Sequence, residues 1–186
     1  MKIEFIHVQN FRKLKSCRID LTNKETIFVG ANNSGKTSAM DAMMTFFKSK
    51  DLTTRDFTLS NWSEINKLCE EWEKETDPIK RDRTIQKWEA HLPTLDVWLS
   101  AEVSELHNVM HLIPTIDWKG GALGVRLRFQ PKDMDNLCID YCSERTISKS
   151  LSGTSKKAKS KYNFWPKDMW EYLDKDKMLS THFEIK

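Results

Sequence analysis

The spacing of hydrophobic residues changes character along the chain. Ile3, Phe5 and Val8 lie in a β-branched and aromatic segment that predicts a strand, and Arg18 to Leu21 predicts a second. Thr26 to Val29 is a continuous apolar run ending at Gly30, and its lack of alternation predicts a strand buried on both faces. Beyond Gly35, Ala39, Met40, Ala42, Met43, Met44, Phe46 and Phe47 make Thr37 to Lys48 apolar on most sides, as in a helix packed against a central sheet. Strand, glycine-containing loop and helix form one unit.

From Ser60 to His91 the period becomes helical. Trp62, Ile65, Cys69 and Trp72 recur at three- and four-residue spacing behind Ser60 or Ser63 as N-caps. A polar turn from Lys74 to Pro78 leads to a second helical stretch with Ile79, Ile85 and Trp88, so a helical hairpin is expected, with the tryptophans as its seam. Strict alternation then returns. Leu95, Val97, Leu99, Ala101 and Val103 mark one half-buried strand, and Val125, Leu127 and Phe129 another. Between them Glu105 to Leu112 predicts a short helix ahead of Pro114, and Trp118 to Gly121 a turn.

The final third is less regular. Between Glu144 and Asp168 every charged residue is basic, among many serines, which predicts a linker or mobile loop at about 145–167. Lys167 to Leu179 predicts a last helix and Thr181 to Ile185 the start of a strand, so the chain is expected to stop inside a fold. No internal repeat is visible.

Composition narrows the class. At 186 residues the chain makes one domain with room for an insertion, and seven Trp and nine Phe supply a core despite 31% charged residues. No apolar run approaches the roughly 20 residues that cross a bilayer, and the N-terminus has no signal-peptide pattern, so a cytoplasmic protein is expected. Cys17, Cys69, Cys138 and Cys142 follow no zinc spacing, which predicts reduced thiols. A net charge of +3 does not by itself indicate nucleic acid.

The sharpest signal is Gly30-Ala31-Asn32-Asn33-Ser34-Gly35-Lys36-Thr37, which fits GxxxxGK[ST] and is followed by Ser38. A chance match in a chain of this length is on the order of one in a hundred, given ordinary glycine usage. The expected strand before it and helix after it add weight. Gly30 and Gly35 allow backbone N–H groups to converge on phosphate oxygens. Lys36 can face the β and γ phosphates of ATP, and the Thr37 hydroxyl can ligate Mg²⁺. The fold class this predicts is α/β, of the P-loop NTPase type.

The opening strand with Gln9-Asn10-Phe11-Arg12, followed by GANNSGKTS, resembles the RecF and SMC-like branch of the ABC-type ATPases. With Leu92 to Trp98, Leu106-His107 to Pro114 and the segment WKGGALGVRLR, residues 1 to about 130 resemble the OLD (overcoming lysogenization defect) family of ATP-dependent nucleases within that branch. The resemblance implies the N-terminal part of an ABC-type ATPase head, with an antiparallel β-lobe beside a parallel core sheet. It also implies two heads closing around two ATP molecules as a homo-oligomer, a Toprim nuclease after the ATPase, action on DNA, and defence against phage with a possible partner protein. It places Arg12 near the nucleotide, and Gln130 is a candidate for the magnesium-contacting Gln of such ATPases.

Other parts of the family pattern are missing. Hydrolysis in this class needs an apolar strand ending in Asp-Glu. The nearest segment, Leu137-Cys138-Ile139-Asp140, continues with Tyr141, and Asp140 reads better as an ordinary strand carboxylate. Leu151-Ser152-Gly153-Thr154 resembles the LSGGQ signature but lacks its second Gly and the Gln, and Asp174-Lys175-Asp176 lacks the strand a Toprim metal pair requires. His107 and His111 share a helix spacing without a third ligand, which favours helix packing. Lys156, Lys157, Lys159 and Lys161, edged by Tyr162, Phe164 and Trp165, suit either a nucleic-acid contact or a solvated loop.

The leading expectation is an ATP-binding segment of an OLD-like ATPase-nuclease that binds Mg-ATP without turning it over on its own. A SMC or RecF-like DNA clamp without a nuclease is the alternative. A small-metabolite kinase is a third reading, disfavoured by the strand pair that precedes the phosphate loop.

Overall fold

The computed structural model describes residues 1–48, 51–113, 115, 118, 121–154 and 165–186. Its frame is a five-stranded antiparallel sheet in the order β2-β1-β3-β4-β5, formed by β1 (Lys2–Phe11), β2 (Leu14–Asp20), β3 (Thr94–Ser100), β4 (Leu123–Pro131) and β5 (Phe183–Ile185). Alternation sets which face is buried. Ile6 and Val8 of β1 pair with Val97 and Leu95 of β3, and all four are buried. On the opposite face the His7 ring meets Ser16 Oγ at 2.8 Å, Phe5 stacks on Trp98 at 5.5 Å between centroids, and Arg126 grips Asp96 through two bonds of 2.6 and 2.8 Å.

Helices close the inner face: α1 (Lys36–Lys48), α2 (Asn61–Lys74), the one-turn α3 (Gln86–Glu89), the short α4 (Leu106–Val109), α5 (Met134–Thr154), α6 (Met169–Asp174) and α7 (Met178–His182). α1 buries Ala39, Ala42 and Phe46, with Phe46 6.5 Å from the Phe11 ring. An aromatic seam runs from Trp62 and Phe57 through Phe129 and Phe183 to Trp88 and Trp72, with centroid separations of 4.7 to 6.4 Å. Such rings bury large apolar areas and add edge or offset attraction, so they dominate this half of the core.

Several expectations are corrected. Thr26 to Val29 forms no strand: Ile27 and Val29 are 71% and 88% exposed, because no strand among the described residues lies beside the run to complete a ladder. Met40, Met44 and Phe47 on α1 are exposed as well, so α1 buries one side only. The helical hairpin is reduced to α2, a 3₁₀ turn at Pro78–Lys80 and the single turn of α3. Ile85 and Trp88 pack inward but Ile79 is 91% exposed, so the second arm lacks a continuous apolar stripe to hold a longer helix. The tryptophan seam nevertheless forms, with Trp72 and Trp88 stacked at 5.6 Å.

The segment Leu137 to Asp140 is helical, not a strand, and α5 runs on through the first half of the expected basic loop. Side chains of Arg145 and Lys149 reach Glu73 on α2, which anchors that half. Lys156, Lys157, Lys159, Lys161, Tyr162 and Phe164 lie outside the described residues, as do Lys119 and Gly120 of the turn expected at Trp118 to Gly121. The predicted last helix is broken at Lys175–Lys177 into α6 and α7.

Candidate functional site

The loop from Gly30 to Ser38 is shaped by three local constraints. Ser34 N–H donates to Ala31 O at 3.3 Å, Asn33 takes φ of +68°, and Gly35 takes φ of +96°. Asparagine tolerates that left-handed conformation, and glycine enters it without penalty. The first intrahelical bond of α1 runs from Ala39 N–H to Gly35 O, so the amides of Lys36, Thr37 and Ser38 precede the helical ladder and remain as anion donors.

The Lys36 ammonium folds back over the loop, 2.5 Å from Gly30 O, 2.6 Å from Ala31 O and 3.4 Å from Ser34 Oγ. A second cation reaches the same place. Lys13, in the turn between β1 and β2, donates to Asn33 Oδ1 and, with Asn32 to Ser38, lines a cavity of about 330 Å³. That lining holds ammonium, amide, hydroxyl and backbone donors and, among the described residues, no carboxylate, which suits a polyphosphate anion. The exposed Thr37 in the first turn of α1 is the hydroxyl such a site would offer to a magnesium ion arriving with the phosphates. Among the described residues no group of three or more His, Cys, Asp or Glu could hold a metal alone.

Arg12 points elsewhere. It donates to Asp41 on α1 and through Nε to Asp56 at 2.9 Å, while its N–H meets Asp56 O at 2.8 Å. Burial opposes the charge, but the bonds to Asp56 and Asp41 outweigh it and hold the guanidinium above its ordinary value. Arg12 therefore ties the helix after the loop to the segment before α2, and the residues lining the loop cavity do not include it.

The remaining candidates are dispersed. Gln130 sits on β4 opposite Glu184 and lines no part of the loop cavity. Asp140 lies on α5, 57% exposed and 3.8 Å from the His182 ring. His107 and His111 are both exposed, which corrects the helix-packing expectation. Asp174 accepts from Thr54 Oγ1, and Trp165 is packed on Tyr172 and covered by Lys175, whose ammonium is 3.7 Å from its ring. The four cysteines are free. Lys13 was not singled out by the sequence. Its only signal there is the basic stretch Phe11-Arg12-Lys13-Leu14-Lys15, which does not reveal that the turn folds onto the phosphate loop.

A glycine-bounded loop that opens a helix and carries a lysine at its end is the phosphate-binding arrangement of P-loop proteins. The chain belongs to the AAA ATPase domain family, which it matches over residues 1–184. It is similar to the DNA replication and repair protein RecF of Oenococcus oeni, with 24% identity over 148 residues that cover 76% of this chain and 39% of the relative. It is also similar to RecF of Bacillus cytotoxicus, with 26% identity over 149 residues, 77% of this chain and 40% of the relative. The chain thus spans about two fifths of the length of these curated relatives. No solved structure matches it at a comparable level. No helix among the described residues is long and apolar enough to cross a membrane.

Proposed function

We propose that this chain binds Mg-ATP through Gly30, Asn32, Asn33, Ser34, Gly35, Lys36, Thr37 and Ser38, as the N-terminal part of an ABC-type ATPase head of the RecF and SMC-like branch. The observation that carries this reading is the position of Lys36 over a loop whose amides precede the α1 ladder, next to a cavity that no carboxylate lines among the described residues. In that head the five-stranded sheet serves as the antiparallel lobe, and the exposed Ile27 and Val29 are where a core sheet would be completed. The finer reading is an OLD-like ATPase-nuclease acting on DNA in defence against phage, with ATP closing a pair of heads in the cytoplasm and controlling a Toprim domain. This rests on the resemblance of residues 1 to about 130.

The likeness to RecF proteins favours a second reading, a DNA-binding ATPase head without a nuclease. Metal-dependent cleavage of plasmid DNA by the full-length product separates the two. Cleavage supports the nuclease reading, and ATP-dependent retention of intact DNA supports the clamp. Binding of a fluorescent ATP analogue to this chain, lost in Lys36→Ala, tests the part common to both.

A further inference from the structure

We propose that Lys13 is a second phosphate-facing cation of the nucleotide site, carried on the β1–β2 turn and contacting the same polyphosphate as Lys36. The inference rests on the ATP-binding reading above and deepens it.

The turn is held in place from several sides. Phe11 is fully buried against Phe46 of α1, and Arg12, at φ of +51°, is fixed by Asp41 and Asp56. On the far side of Lys13, Leu14 touches the phosphate loop so closely that a Cβ on Gly35 would come within 2.9 Å of Leu14 Cδ2. With both neighbours pinned, Lys13 extends along the loop and meets Asn33 Oδ1.

The charges sort in a way that favours an anion. Asp41 and Asp56, the carboxylates closest to the turn in its contacts, are both engaged by Arg12. Among the described residues neither Lys13 nor Lys36 makes an ion pair; their acceptors are an amide oxygen, a hydroxyl and backbone carbonyls. Two ammonium groups with only neutral acceptors therefore line one cavity. A phosphate oxygen is a stronger acceptor for an ammonium than a neutral amide oxygen, because it adds the attraction of a full negative charge to the hydrogen bond. A triphosphate can thus draw Lys13 away from Asn33. The pair Arg12 and Lys13 divides the work: the first locks the turn and the second meets the ligand.

The test is calorimetric titration of Mg-ATP into the unsubstituted chain, Lys13→Ala, Lys13→Arg and Lys36→Ala, with thermal melting of each and a salt series. Lys13→Ala should weaken binding roughly tenfold, as loss of one charge-assisted bond does, with an unchanged melting temperature and a shallower dependence on salt. Lys13→Arg should recover most of the affinity. Wild-type affinity in Lys13→Ala alongside its loss in Lys36→Ala overturns the role of Lys13 and leaves nucleotide binding standing. A loss that Arg does not restore and that tracks a lowered melting temperature also overturns it, as a structural effect. No saturable binding by the unsubstituted chain removes both readings.

Discussion

Leu14 of β2 and Gly35 of the phosphate loop are in mutual contact, with space for a hydrogen but not a methyl group on the glycine, whose φ is +96°. The first hairpin and the loop therefore form one unit. Gly35→Ala meets both a strained backbone and the leucine side chain, and should cost about 1–2 kcal/mol of stability. Thermal melting should show a drop of a few degrees for a domain of this size, and Mg-ATP affinity should fall with it. An unchanged melting temperature would show that the contact yields freely.

Arg12 bridges Asp41 and Asp56, and only Asp56, 10% exposed at its side chain, is well buried. Arg12→Ala should therefore destabilise modestly, by about 1 kcal/mol, since Asp56 keeps its bonds from the N–H and Oγ1 of Thr53. Arg12→Lys should not restore the loss, because one ammonium cannot reproduce a forked bridge. Urea denaturation of the two variants measures this, and full rescue by lysine would contradict the bridging role.

Glu73 on α2, 9% exposed at its side chain, accepts from Arg145 at 2.7 and 3.1 Å, from Tyr141 at 2.9 Å and from Lys149. Burial opposes its charge, yet the bonds from Arg145, Lys149 and Tyr141 hold the carboxyl below its ordinary value. A depressed folded value stabilises above the unfolded value, near pH 4.3, and the benefit is lost as pH falls through the folded value. Glu73→Gln should cost about 2 kcal/mol at pH 7, and the gap from the parent should begin to narrow as pH falls below about 4.3 and close only below the lowered folded value. Denaturant midpoints over an acid pH series test it; a gap constant with pH would exclude the carboxylate as its source.

Much of the sheet was legible because the alternation at Leu95 to Leu99 and Val125 to Phe129 marks the apolar face turned to the core, although Thr94 and Asp96 on the other face of β3 are buried as well. The phosphate loop was legible because glycine and lysine must stand at fixed offsets. Other features were not. Thr26 to Val29 has the composition of a buried strand, but a ladder needs a neighbour and none among the described residues is present. Leu137 to Tyr141 reads as a strand by its apolar run, while tertiary packing of Leu137, Cys138 and Tyr141 on one side selects a helix. The seating of Lys13 depends on a contact between distant segments, which local pattern does not encode.

Among the described residues no carboxylate lines the loop cavity to orient water, and Asp140 stands on α5 outside it. This chain alone should therefore bind Mg-ATP without sustained hydrolysis. A phosphate-release assay should remain at background. Turnover at about 1 per second or faster, common for enzymes, would reveal a catalytic group that this account omits.

The central claim, that the loop from Gly30 to Ser38 binds nucleotide, is tested most directly by equilibrium titration of Mg-ATP against the unsubstituted chain and Lys36→Ala, both checked for equal thermal stability. Among the described residues Lys36 is bonded only to its own loop, so its removal should leave the fold intact while deleting the charge that meets the phosphates. Saturable binding by the parent and a loss of at least about tenfold in the variant is the predicted result. Equal affinity in the two proteins would contradict it.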